Sequence, residues 1–110
     1  MDKADVVKKI RAGSFVDNNG RVLRTINILR YKYNKLSGVC YALPYLQEDE
    51  ILDSINYLQE AEYIELRHIE TKVPVHSGLA DNDYRELEAK LTAKGIQLLA
   101  GSIQDPVVKV

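Results

Sequence analysis

Near Tyr63 the hydrophobic rhythm of this chain changes, and that change limits the architectures open to it. Upstream, over residues 47–61, Ile51, Leu52, Ile55 and Leu58 recur at helical spacing, so one stripe of a helix is apolar and the rest polar. Downstream, in Tyr63-Ile64-Glu65-Leu66-Arg67-His68, apolar and charged residues alternate, the two-residue period of a half-buried strand. The alternation returns over 84–91, with Leu87, Ala89 and Leu91 facing inward and Glu86, Glu88 and Lys90 outward. The two runs are joined by a polar connection holding Pro74, Gly78, Asp81, Asn82 and Asp83, and together they predict one antiparallel ribbon. A helix handing over to a ribbon predicts an α+β fold, in which the sheet closes the core that the helices leave open.

The flanking segments follow from local chemistry. Residues 2–12 predict a short helix capped by Asp2, with Val6, Val7 and Ile10 on its apolar side and Gly13-Ser14 at its end. Asp17-Asn18-Asn19-Gly20 reads as a turn, because Asn and Gly tolerate positive φ. A second helix is expected over 20–35 from Val22, Ile26, Leu29 and Tyr33 with Leu23 alongside, stopped by Ser37-Gly38. VCYALPYL at 39–46 is either a buried extended piece or a short helix starting near Pro44, since proline is excluded from a helix interior. Glu48, Asp49 and Glu50 suit the first turn of the helix they open, where the dipole favours negative charge. Thr92 caps a last helix over 93–100 carrying Ile96, Leu98 and Leu99, with Gly101 past its end. The tail SIQDPVVKV is expected to lie irregularly over the surface. A length of 110 residues fits one domain, divided here into a helix and turn at 1–19, the domain proper at 20–101 and a tail at 102–110.

Two stretches carry a family resemblance. DEILDSINYLQEAEYIEL resembles the third helix, turn and first wing strand of winged-helix proteins, and KLTAKGIQLLAG resembles their second wing strand and following helix. The likeness covers about residues 20–101 and extends to PadR-like regulators. The run from Leu91-Thr92 through Lys94-Gly95, Gly101 and Pro106 to Lys109 is similar to small winged-helix proteins of Mu-like bacteriophages. The resemblance implies a three-helix core, a two-stranded antiparallel β-wing, a C-terminal helix and here a short added N-terminal helix. It also implies a DNA-binding, regulator-like protein. Two positions depart from the pattern: Glu62 stands where the turn usually has glycine, and Pro44 lies where the second helix of a helix-turn-helix belongs.

Charge then separates the functional classes. Residues 1–35 hold nine basic and three acidic side chains, 36–66 hold seven carboxylates and no Lys or Arg, and 67–110 hold six of each, in a chain of net charge −1. Duplex DNA is held chiefly through phosphates by Lys and Arg, yet the helix over 47–61 has no cation. DNA contact is therefore expected from Lys8, Lys9, Arg11, Arg21, Arg24, Lys32 and Lys35 in the basic third and from Arg67 and Lys72 on the wing. The alternative is a protein-interaction or assembly adaptor whose acidic helix, through Asp49, Glu50, Asp53, Tyr57 and Glu60, binds a basic partner. Seven tyrosines favour interfaces, and an acidic helix facing a basic third of a second copy favours a homodimer.

An enzyme is not expected: GxxxxGK, HExxH and paired cysteines are absent. No catalytic residue, metal ligand or cofactor is assigned. His68 and His76 are eight residues apart, a spacing that suits neither one helix face nor a tight metal loop. His76-Ser77 near Asp81 lies on a loop without the pre-organisation of a nucleophile and base. The longest apolar run, Val39 to Leu46, is eight residues long, too short to span a bilayer. The N-terminus lacks the apolar stretch of a secretion signal. Lone Cys40, expected to be a buried small hydrophobe, suits a reducing cytoplasm.

Overall fold

The polar run at 17–20 does not turn. In the computed structural model, which describes the backbone of residues 3–29 and 31–110 and the side chains of 6, 14–29, 31–77 and 79–110, helix α1 runs unbroken over Lys3–Asn27. The expected break at Gly13-Ser14 and turn at 17–20 are thus replaced by continuous helix; the Asp2 cap lies outside the described residues. The reason is tertiary. Asn18 Nδ2 donates to Glu50 Oε2 at 3.0 Å, and fully buried Asn19 donates to the Val107 carbonyl at 2.9 Å. At Gly20 an added Cβ would stand 1.8 Å from the Lys109 carbonyl oxygen. Residues that favour turns in isolation here form a seat for the end of the chain.

Helix α1 also stops before the expected 35. Val22, Leu23 and Ile26 are buried, but Ile28 and Leu29 are exposed beyond its end. Asn34 Nδ2 donates to the Ile26 carbonyl at 3.0 Å, satisfying one of the carbonyls that a helix end leaves open. Strand β1 (Asn34–Lys35) follows, then helix α2 (Leu36–Ala42). Ser37-Gly38, expected to stop a helix, lies inside this one. Leu36 and Val39 tie α2 to the core. Pro44 ends α2 rather than starting it, because the residue before a proline is driven out of helical geometry; Leu43 sits at φ −123°, ψ 60°.

Helix α3 (Glu48–Glu60) buries Ile51, Ile55 and Leu58 as the spacing predicts. It ends in a Schellman turn: Tyr63 N–H donates to the Leu58 carbonyl and Glu62 N–H to the Gln59 carbonyl, each at 2.9 Å. Glu62 stands at φ 66°, so the departure from glycine leaves the turn intact and puts the strain on Glu62. Strand β2 (Ile64–His68) pairs antiparallel with β4 (Leu87–Leu91), from Ile64 opposite Leu91 to His68 opposite Leu87. The expected ribbon forms, except that 84–86 is a 3-10 turn in which Asp83 accepts from the Arg85 N–H at 3.0 Å. Between the two strands, β3 (Pro74–Val75) folds back onto β2, and β1 pairs with β4, giving the order β1-β4-β2-β3. Neither short strand was legible in the hydrophobic rhythm.

Among the described residues the fold is α+β, with four α-helices and a four-stranded antiparallel sheet. The last helix, α4 (Ala93–Ala100), begins where the Thr92 hydroxyl accepts from the Gly95 N–H at 3.1 Å and ends at Gly101 with φ 82°. Thr92 Oγ1 donates to the Glu62 carbonyl at 2.6 Å and Lys94 Nζ to the Ala61 carbonyl at 3.0 Å, clamping the strained turn. The tail is irregular but does not merely cover the surface. Val108 is buried, and Lys109 N–H donates to the Val16 carbonyl at 3.2 Å. No described helix is long and apolar enough to cross a membrane.

Gly20 gives a test of this packing. Gly→Ala inside a helix ordinarily stabilises by about 1 kcal/mol. Here the methyl would collide with the Lys109 carbonyl, and overpacking costs about 1–3 kcal/mol. Gly20→Ala is expected to lower Tm in a thermal melt; a raised Tm would show that the tail does not rest there.

Candidate functional site

The outward side of α3 is an acidic surface. Ile51, Ile55 and Leu58 point inward, and Asp49, Asp53, Asn56 and Glu60 are exposed. Asp49 Oδ1 accepts from the Glu50 N–H at 2.9 Å, which fixes the first turn as the helix dipole favours. Glu50 is half-buried and accepts from Asn18, joining α3 to α1. Between these helices lies a recess of about 470 Å³ lined by Ser14, Phe15, Asn18, Gln47, Asp49, Glu50 and Asp53. At the other end of α3 a recess of about 450 Å³ holds Glu60, Glu62, Glu65, His76 and Tyr33. The structure thus keeps Asp49, Asp53 and Glu60 on one accessible side.

Tyr57, expected beside them as a contact residue, is committed elsewhere. Its ring meets Phe15 edge-on at 5.7 Å between centroids. Its hydroxyl donates to Asp105 Oδ2 at 2.8 Å, as does that of Tyr63, while Asp105 Oδ1 accepts from the Val107 N–H at 2.8 Å. Burial, then the hydrogen bond to Asp105, pushes both phenols up to about 12. Burial works against the Asp105 carboxylate, but the Val107 amide and the two hydroxyls outweigh it and hold the carboxyl below its ordinary value. Nothing in the hydrophobic pattern marked Asp105; its only sequence signal was a position just before Pro106 in a segment assumed to be loose.

The residues expected to meet DNA fall into separate groups. Arg21 and Arg24 line one recess of about 320 Å³ with Asp17 and Lys109. Arg21 donates to Asn18 Oδ1 at 3.2 Å, Arg24 to the Lys109 carbonyl at 3.0 Å, and Lys109 lies 3.8 Å from Asp17. Lys32 and Lys35 are exposed around β1. Lys8, Lys9 and Arg11 lie outside the described side chains. Arg67 and Lys72 converge on Glu88, at 2.7 Å and 3.2 Å. Glu88 was expected to face solvent, yet it is 6% exposed; its own burial would raise its pKa, but the hydrogen bonds from Arg67 and Lys72 hold it lowered. Arg67 also stacks 3.5 Å over the Tyr33 ring, whose hydroxyl donates to Glu65 at 2.9 Å. Arg67, Lys72 and Glu88 thus form an ion network on the outer face of the sheet.

No group of three or more His, Cys, Asp or Glu residues that could hold a metal occurs among the described residues. The Ser77 hydroxyl accepts from Asn82 at 3.4 Å, and His76 is exposed. Cys40 is half-buried rather than buried, and burial followed by the charge of Glu48 raises its thiol pKa, which disfavours the reactive thiolate.

The tyrosine pair carries a pH signature. A phenol whose folded pKa is raised lends stability that is complete below its ordinary value of 10.0 and is lost as pH rises toward about 12. Denaturant unfolding is therefore expected to show stability falling through that window. Tyr63→Phe should flatten the fall and cost about 2 kcal/mol at neutral pH, the worth of a hydrogen bond to a charged acceptor. An unchanged alkaline profile in Tyr63→Phe would contradict the assignment.

No protein-family model, curated protein or solved structure matches this chain.

Proposed function

We propose that this chain is a non-enzymatic interaction module of winged-helix type, whose acidic α3 face docks a basic segment of a protein partner in a reducing cytoplasm. The order helix, strand, helix, helix, then three strands and a last helix, with β4 placed between β1 and β2, supports the winged-helix reading. So does α2, which stands where Pro44 had left the second helix in question. The observation that carries the binding reading is electrostatic. Asp49, Asp53 and Glu60 project from α3 with no Lys or Arg in 36–66, while Arg67 and Lys72 are paired with Glu88. Such a surface repels phosphate and attracts ammonium and guanidinium groups.

The test is titration of a fluorescent oligo-lysine peptide. Binding should weaken as salt rises, and Asp49→Lys with Asp53→Lys should weaken it about tenfold or more, near 1.4 kcal/mol. Reversing Glu70 and Asp81, which lie off this face, should leave it unchanged. Equal binding by both double variants would refute the α3 site.

A second reading, direct DNA contact away from α3, is favoured by one observation: Arg21, Arg24 and Lys109 line a common recess. Anisotropy with mixed-sequence duplex should then show steeply salt-dependent binding that Arg21→Glu with Arg24→Glu abolishes. Absent or salt-insensitive binding would end that reading.

A further inference from the structure

Asn19-Gly20 is the only Asn-Gly pair in the chain, and it lies inside α1 rather than in a turn. Asn19 is fully buried. Its Nδ2 donates to the Val107 carbonyl at 2.9 Å, while its Oδ1, equally buried, accepts no hydrogen bond from the described residues. At Gly20 the Lys109 carbonyl oxygen stands 1.8 Å from the place a Cβ would take, so only a bare α-carbon lets the tail lie there. Lys109 N–H donates at 3.2 Å to the Val16 carbonyl, the same carbonyl to which a helix assigns the Gly20 N–H. The tail is thus laid over the peptide unit that joins Asn19 to Gly20.

An Asn-Gly peptide unit carries its own reaction. When the backbone is free, the Gly20 amide nitrogen loses its proton and attacks Asn19 Cγ. A nitrogen–carbon bond forms, the bond from Cγ to Nδ2 breaks, and ammonia leaves, closing a five-membered imide. Water then opens the imide to aspartate or isoaspartate. Glycine favours the attack because it has no side chain to obstruct it. Within α1 the attack is blocked: the Gly20 nitrogen keeps its proton in the helical hydrogen bond, and Asn19 Nδ2 is pinned to Val107. The product does not fit the seat. Aspartate at this position sets an oxygen against the Val107 carbonyl where a donor stood, and its other oxygen has no donor either. A buried carboxylate without donors is strongly disfavoured. Isoaspartate adds a carbon to the backbone and interrupts the hydrogen-bond ladder of α1. We propose that Asn19 is a site of spontaneous deamidation held shut by residues 107–109, and that its conversion unlocks the tail from α1.

Mass spectrometry of the tryptic peptide spanning residues 12–21, with fragmentation to place the change, follows the reaction in the aged full chain. In native buffer it should run about tenfold or more slower than in urea, because the rate tracks the open population. Tyr57→Phe with Tyr63→Phe removes both hydroxyls from Asp105 and loosens the tail; it should speed the reaction in native buffer and leave the rate in urea unchanged. Release of the tail is read by amide hydrogen exchange. Asn19→Asp should let the Lys109 amide exchange about tenfold or more faster, while Asn56→Asp, on the exposed side of α3, leaves it unchanged. Converted wild-type chain, separated by its added negative charge, gives the same comparison without a variant. Equal rates with and without urea, or a tyrosine double variant that reacts no faster, would overturn the gate. A Lys109 amide as protected in the converted chain as in the unconverted one would overturn the lock.

Discussion

One carboxylate gathers the ends of this fold. Asp105 receives the hydroxyls of Tyr57 from α3 and Tyr63 from the start of β2 on a single oxygen, and the Val107 amide on the other. A half-buried anion with three donors is strongly held, because each bond is charge-assisted and the desolvation it suffers is answered by dipoles already in place. With Asp105 fixed, Val107 and Val108 are brought onto α1, where Asn19 binds the Val107 carbonyl and Gly20 makes room for that of Lys109. The continuity of α1 through a turn-like sequence, the burial of Val108 and the loss of Tyr57 as an outward contact all fit this closure.

That dependence explains which parts of the fold the sequence disclosed. Where a residue's neighbours in the chain are also its neighbours in space, the reading succeeds: Ile51, Ile55 and Leu58 mark α3, and the alternation around Leu66 and Ala89 marks the central antiparallel pair of strands. Where a residue's partner lies far along the chain, local chemistry misleads. Asn19 and Gly20 have the same intrinsic preferences whether they make a turn or a seat for residues 88 or more positions away. Strands β1 and β3 have two residues each, too few for any period. Pro44 indicated a boundary, but not on which side of it the helix lies.

The candidate surfaces follow the same division. The row Asp49, Asp53, Asn56 and Glu60 was legible because a helix with one apolar stripe leaves no other place for it. The fate of the cations was not legible. Glu88 occupies a position that alternation assigns to solvent, and only the approach of Arg67 from β2 and Lys72 from the β2–β3 turn makes it an interior anion. Burying a carboxylate demands compensation, so two cations of the expected basic face are spent on it. A chain that is nearly neutral by composition thus pairs two of its cations with the buried Glu88, while Asp49, Asp53 and Glu60 of α3 remain outward.

The acidic shoulder is also held rigidly. Glu60 closes α3, Glu62 occupies a left-handed position in the turn, and Glu65 begins the outward row of β2. A non-glycine residue at positive φ persists only where its surroundings over-determine it. Here Thr92 and Lys94 grip the carbonyls of Glu62 and Ala61, and the close approach of Gly95 to the Tyr63 carbonyl seats α4 against the turn. The backbone that carries these three carboxylates has little freedom left to lose. Ordering cost is one of the main penalties of association, so a partner bearing several cations meets this shoulder with that part of the penalty already met by folding. On the proposed reading the strain at Glu62 has a use: it fixes a carboxylate at the junction of helix and sheet, where glycine would have given an easier turn and no charge.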